Sequence, residues 1–229
     1  MKSKCIFAVK RRNLFRLFLS LQMIVWILLY STGLHAQESS VKAVSLFDGK
    51  TLKGWKTVDP AHQQLWYVKD SVMMCGDGIN TIPSNTYLHT DKEYGDFEFR
   101  CLFRLSGDEK TGMINSGIQY RSKITNREIV GYQADIGNGY WGDIYDEHRR
   151  GKLVGGDLSI LHRLLKPDGW NSYIIRVKGK YHELYINGVK TCEYTEKDPQ
   201  IPSTGVIAVQ IHSGGAGIVE FRDLTITEL

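Results

Sequence analysis

Cysteine is scarce in this chain, and its spacing pairs nothing. Of four cysteines in 229 residues, Cys5 lies near the N-terminus, and Cys75, Cys101 and Cys192 are far apart with no CxxC pair among them. That spacing argues against a structural zinc site. It leaves two readings, one disulfide plus a buried thiol or three buried thiols. Helical periodicity is nearly absent as well, and only residues 158–165 fit a short helix. With no alternation of strands and helices, a doubly wound α/β fold is excluded too. Internal repeats and low-complexity segments are also missing.

A genuine basic surplus is lacking, although the formal charge of +4 and the pI near 8.8 suggest one. Lys2, Lys4, Lys10, Arg11, Arg12 and Arg16 lie in the first 36 residues, which contain no acid, so removing that segment turns +4 into −2. The precursor's charge therefore gives no reason to expect nucleic-acid binding. The segment itself reads as an export signal. Its basic region precedes an apolar run over residues 17–30 interrupted only by Ser20 and Gln22, and Ala36 suits a cleavage point. The run is short for a membrane span, which needs about 20 apolar residues. The alternative is an uncleaved anchor, and no cysteine beside the cut signals a lipoprotein. The expected organisation is a signal peptide over residues 1–36, a short linker over 37–43 and one β-sandwich catalytic domain over 44–229. The mature protein is then periplasmic or secreted, with no membrane attachment after cleavage.

Strand patterns fill the remainder. Residues 97–105 alternate apolar and polar throughout, as a half-buried strand does. Residues 66–68 and 72–74 flank Lys69-Asp70-Ser71 and read as a hairpin. Further strands are expected over residues 116–121, 130–136, 173–177, 183–186, 189–194, 206–210 and 218–227, and Asn187-Gly188 is a strong hairpin turn. Many strands joined by Gly, Asn and Asp turns predict an all-β, antiparallel two-sheet sandwich.

Residues 131–150, GYQADIGNGYWGDIYDEHRR, combine Gln133, Asp135, Asp143, Asp146, Glu147, His148, Arg149 and Arg150 with Tyr132, Tyr140, Trp141 and Tyr145. A solvated loop has no use for four large aromatics, and a packed core has none for so many ionisable groups. The mixture suits a polar site with aromatic walls, where sugar C–H faces lie on rings and hydroxyls bond to carboxylates, amides and guanidinium groups.

Together with that stretch, a series of short motifs resembles the 3-keto-disaccharide hydrolase domain family. The series opens with LFDGKTLKGW at residues 46–55, YGDFE at 94–98 and NSGIQYR at 115–121. It continues through GYQADI at 131–136, WGDIYDE at 141–147 and WNSY at 170–173, and closes on QIHSGG at 210–215 and VEFRDL at 219–224. Each is weak alone, and their order is specific. The resemblance implies a jelly-roll sandwich similar to concanavalin A-like lectins and glucanases, with the site on a concave sheet.

Retaining β-glucanases of that fold carry several carboxylates on one strand face, where residues i, i+2 and i+4 point the same way. Here the corresponding run, residues 133–137, holds only Asp135. A retaining mechanism needs two carboxyls about 5 Å apart, so this strand by itself does not supply one. A 3-keto sugar asks for less. Its ketone acidifies C2–H, so one base can remove that proton while the C1 substituent leaves and water adds later. The step needs a base, a proton donor to the leaving oxygen, and positive charge or a metal at the developing enolate.

Asp135, Glu147 and His212 are the acid/base candidates. Glu147 or His212 is expected to transfer protons, with Asp135 as orienter or metal ligand. Gln133 and Gln210 are expected to bond hydroxyls, Trp141 and Tyr145 to form walls, and Arg121, Arg149 and Arg150 to supply positive charge. Asp135, Asp143, Asp146 and Glu147 offer hard oxygens for a divalent metal, Ca²⁺ or Mg²⁺, although their spacing matches no EF-hand loop. The expected partner is a carbohydrate substrate. Because no Gly-rich nucleotide motif accompanies a βα unit, a separate sugar oxidoreductase has to supply the ketone. The alternative from another class is a non-catalytic, lectin-like carbohydrate-binding module.

Overall fold

The computed structural model describes residues 42–167 and 169–229. The expected signal peptide and most of the linker lie outside them. Among the described residues fifteen strands follow one another, interrupted by one short α-helix, α1 (Leu158–Leu164), which Asp157 caps by accepting from the Ser159 and Ile160 amides. One sheet contains β1 (Val44–Ser45), β3 (Trp66–Lys69), β4 (Val72–Cys75), β6 (Phe97–Gly107), β11 (Asn171–Lys178), β12 (Tyr181–Ile186), β13 (Val189–Thr195) and β15 (Gly217–Glu228). Its order is β13-β12-β11-β6-β15-β4-β3, with β1 also paired to β15. The other sheet contains β2 (Trp55–Thr57), β5 (Thr86–Tyr94), β7 (Asn115–Thr125), β8 (Glu128–Gly137), β9 (Ile144–Glu147), β10 (Gly151–Val154) and β14 (Gly205–Ile211). Its order is β10-β9-β8-β7-β14-β5-β2.

Strand alternation builds the core. Phe97, Phe99, Cys101 and Phe103 of β6 are buried together with Tyr173, Ile175 and Val177 of β11. They meet Ile118 and Tyr120 of β7, Tyr132, Ala134 and Ile136 of β8, and Ile207, Val209 and Ile211 of β14 from the opposite sheet. Each fully buried large apolar side chain contributes about 1.5–3 kcal/mol over exposure. Cys75, Cys101 and Cys192 are buried free thiols, which selects between the two cysteine readings.

The expected strands are present, and the sheets are the antiparallel sandwich that the patterns predict. Five more emerge, the short β1 and β2 and, in segments whose mixed polarity hides them, β5, β9 and β10. The position of β9 matters most, because Asp146 and Glu147 stand on a strand and not in a loop. Neighbouring strand residues point to opposite faces, so the second sheet turns Gln119, Gln133, Asp135 and Gln210 away from the core that their neighbours fill. Registers align Gln119 with Gln133, Gly117 with Asp135 and Gln133 with Tyr145 across that outer face.

Candidate functional site

On this outer face, Asp135, Gln133, Glu147, Tyr145 and His212 line one recess of about 130 Å³, together with Asn115, Tyr140 and Met113. The strands that bring them together are β7, β8 and β9, with His212 supplied by the bend after β14. The three acid/base candidates thus share a pocket with two of the expected sugar-contacting side chains.

Asp135 is 2 % exposed. Burial raises its pKa well above the ordinary 3.8, the nearby Asp143 and Glu147 charges act in the same direction, and hydrogen bonding from Gln133 and the Lys152 charge oppose them. Gln133 Nε2 donates to Asp135 Oδ1 at 2.5 Å. Its burial therefore favours the neutral, hydrogen-bond-donating form over the charged one. Glu147 meets the Tyr87 hydroxyl, which donates to Oε1 at 3.4 Å, and His148 Nε2 lies 3.4 Å from the same oxygen. His212 Nδ1 sits 2.8 Å from the Ser213 carbonyl. A carbonyl only accepts, so in the neutral ring Nδ1 bears the hydrogen and Nε2 keeps its lone pair. Nε2 is therefore the ring nitrogen able to accept a hydrogen bond.

Other expected site residues stand elsewhere. Arg121 is buried at a bulge of β7 with left-handed backbone, φ 47°. Its guanidinium donates to Gly95 O at 2.9 Å, Gly179 O at 2.6 Å and Asp96 Oδ1 at 2.8 Å, and so pins the β5–β6 connection between the sheets to the β11–β12 turn. Arg149 and Arg150 lie on the far side of β9 from Glu147. Both bond Asp146, and Arg150 also donates to Glu196 at 2.7 Å. Trp141 packs its ring 6.2 Å from that of Phe103 and lines a separate cavity of about 390 Å³ with Leu105, Ile114, His162 and Leu165. Gln210 is buried next to Tyr87 in the register, and neither of its amide atoms has a hydrogen-bond partner among the described residues.

The oxygens proposed for a divalent metal are not gathered. Asp143 bonds the Gly156 amide at 2.7 Å and Lys152 at 2.5 Å, and Asp146 is neutralised by two arginines. Among the described residues no three His, Cys, Asp or Glu side chains are placed to hold one ion. The donor set does not fit Ca²⁺ or Mg²⁺, which need six or more oxygens. Positive charge beside the pocket comes instead from Lys152, which also lies 4.9 Å from the Tyr140 ring centroid.

Sequence reasoning missed Tyr87, Asn115 and Met113 as lining or contacting groups, and placed Tyr140 only among the aromatics of residues 131–150. Asn115 was recoverable from spacing, since it shares a strand face with Gly117, opposite Asp135, whereas Met113 lies in the loop before β7. Tyr87 was not, because its strand went unrecognised.

The model of the 3-keto-alpha-glucoside-1,2-lyase-like domain family matches residues 42–227. No curated protein matches the chain in sequence. Among solved structures, a candidate glycosyl hydrolase from Parabacteroides distasonis ATCC 8503 is similar at 19 % identity and TM-score 0.59, covering 82 % of this chain and 94 % of its own. The carbohydrate-binding module CBM66 from Bacillus subtilis is similar at 11 % identity and TM-score 0.57, covering 76 % and 96 %. A β-1,3-1,4-glucanase (lichenase) derived from a mouse hindgut metagenome reaches 11 % identity and TM-score 0.52, covering 82 % and 98 %. At such identities the likeness establishes a shared sandwich fold.

Proposed function

This chain belongs to the 3-keto-alpha-glucoside-1,2-lyase-like domain family, and from that premise we propose that it is an exported enzyme acting on 3-keto glycosides. Membership supports a carbohydrate-related role. The observation that carries the finer reading is the single recess holding a buried Asp135 together with Glu147 and His212.

In the proposed reaction His212 Nε2 takes the C2 proton that the 3-ketone acidifies. The C2–H electron pair forms the C1–C2 double bond as the C1–O bond breaks, and Asp135 gives its proton to the departing oxygen. Water then adds across the conjugated double bond, its oxygen to C1 and a proton to C2, so the net change is hydrolysis. Glu147, on the adjacent strand, positions or deprotonates that water. Tyr140 and Tyr145 contribute ring and hydroxyl contacts to the sugar. General acid–base catalysis of this kind contributes typically 10²–10⁴-fold per group. In this reading the ketone comes from a separate sugar oxidoreductase, and the basic, then apolar N-terminal segment supports export to the periplasm or outside the cell.

Asp135 and Glu147 in one pocket also favour a second reading, an ordinary glycosidase with one acid and one carboxylate. Turnover of a chromogenic 3-keto glucoside beside its unoxidised parent, with and without EDTA, separates the two. Release from the keto substrate alone, insensitive to EDTA, is expected. Cleavage of the plain glucoside overturns the keto reading. If the protein binds both sugars and turns over neither the keto glucoside nor its glucal, it is a carbohydrate-binding module.

A further inference from the structure

Behind Asp135 a chain of buried amides runs across two strands. Gln133 Nε2 donates to Asp135 Oδ1 at 2.5 Å, Gln119 Nε2 donates to Gln133 Oε1 at 2.8 Å, and Ser122 Oγ donates to Gln119 Oε1 at 2.9 Å. Gln119 and Ser122 are fully buried, and neither lines the pocket. They belong to β7, whose bulge after Tyr120 brings Ser122 back to the face of Gln119.

An amide has a donor end and an acceptor end, so each link fixes the next. Run in this direction, the chain presents N–H to Oδ1, and a proton on Asp135 then has to sit on Oδ2. Run in reverse, Asp135 would donate inward to Gln133 Oε1, Gln133 to Gln119, and Gln119 to Ser122 Oγ. The Ser122 hydroxyl would then turn to the Tyr120 carbonyl at 3.1 Å. Only the first polarity leaves the proton available to a bound substrate, and only it can receive the carboxylate that remains after the proton is given. Gln119 links the two ends, with Ser122 on one side and Gln133 on the other, so the orientation of its amide sets that of Gln133.

We propose that Gln119 is a positioning residue that acts through Gln133, fixing Oδ1 of Asp135 as the hydrogen-bond acceptor and Oδ2 as the oxygen that carries the proton into the pocket. The proposal rests on Asp135 being the proton donor of the reaction above. Without Gln119 the Gln133 amide is free to rotate, and its carbonyl meets Asp135 as readily as its N–H does. The carboxylate then loses an assured donor, the acid form gains an inward partner, and proton delivery slows.

The test reads Asp135 itself as well as turnover. The carboxyl ¹³C resonance of Asp135 is titrated in wild type, in Gln119→Met, which keeps volume and removes both hydrogen bonds, and in Ser122→Ala. Loss of a hydrogen bond to the charged form raises a carboxyl pKa. The expected result is titration at higher pH in Gln119→Met and a smaller shift in the same direction in Ser122→Ala. For turnover of the 3-keto glucoside, kcat is expected to fall about tenfold with KM nearly unchanged, as for an interaction made only in the transition state. Coincident titration curves for wild type and a folded Gln119→Met overturn the proposal. Should Gln119→Met fail to fold, an unshifted Ser122→Ala curve does the same. A shifted titration with no turnover by any variant, wild type included, sustains the relay and defeats the enzymatic reading.

Discussion

Gly117 faces Asp135 across the β7–β8 register, and its missing side chain is what makes room for Gln133. A Cβ built at position 117 lies 2.5 Å from Gln133 Cδ and 2.6 Å from Cγ. Ordinary contact begins near 3.4 Å, so Gly117→Ala must push Gln133 back by about 0.9 Å. Gln133 has no slack for that displacement. It is buried and tied on both sides, at 2.5 Å to Asp135 and 2.8 Å to Gln119, and moving it so far takes at least one of these bonds past hydrogen-bonding range. Overpacking of this kind costs about 1–3 kcal/mol. The stiffer unfolded chain offsets up to about 1 kcal/mol, which leaves a net loss between about 0 and 3 kcal/mol, centred near 1.5 kcal/mol. A misplacement near 1 Å at reacting groups can cost about 10²-fold in rate. Urea denaturation and kcat/KM on the 3-keto glucoside measure the two effects. Gly95→Ala is the control, because its Cβ meets nothing nearer than 3.5 Å and it lies outside the pocket; its stability should stay within about 0.5 kcal/mol of wild type. Wild-type stability and turnover in Gly117→Ala would refute the packing argument and the role of Gln133 together.

Two further outcomes follow from charge. Burial holds the folded pKa of Asp135 above the ordinary 3.8, so the stability linked to its proton is complete below that value and declines as pH rises through the folded pKa. Asp135→Asn should therefore lose about 10²-fold or more in turnover yet gain stability relative to wild type as pH rises, in urea melts taken across that window. Arg150→Ala removes a cation from both Asp146 and Glu196 and should cost about 3 kcal/mol. Burial works to raise the Glu196 pKa, but hydrogen bonds from Arg150 and Tyr132 hold it at about 2, below the ordinary 4.5. That stability is present above pH 4.5 and is lost as pH falls through about 2, so the wild-type advantage should shrink in acid. An advantage that grows in acid would contradict the pairing.

Much of this arrangement was legible before any coordinates, for a physical reason. The β6 and β11 sequences alternate so regularly that only one face of each can be buried, and their strands appear where the pattern puts them. Asp135 and Gln133 could be assigned to one face on the same ground. The arginines could not. Arg121, Arg149 and Arg150 are charged, sit within or beside the motifs, and by composition suit an enolate. Their direction, however, depends on a bulge in β7 and on which face of β9 is inward, and neither leaves a periodic trace. Trp141 fails for a related reason. In the turn after β8, Tyr140 lines the recess while its neighbour Trp141 lines the cavity beside Phe103, and no repeat in the sequence announces that division.

The sharpest consequence concerns Asp146 and Glu147, adjacent in sequence and both acidic, which composition alone treats as one feature. β9 separates them. Asp146 is fully buried against Arg149 and Arg150, and Glu147 faces the recess beneath Tyr87. Removing a partner from a buried ion cluster strands the remaining charges, which costs about 3–5 kcal/mol. The side chain at 147 keeps company only with a hydroxyl and a half-exposed imidazole at 3.4 Å, worth about 1 kcal/mol or less. Asp146→Ala should thus lower the urea midpoint steeply, and whatever remains folded should turn over at nearly the wild-type kcat. Glu147→Ala should melt almost as wild type does and lose turnover while still binding the sugar. If the two substitutions exchanged these phenotypes, the inward and outward assignment of β9 would be wrong, and the acid/base set of the recess with it.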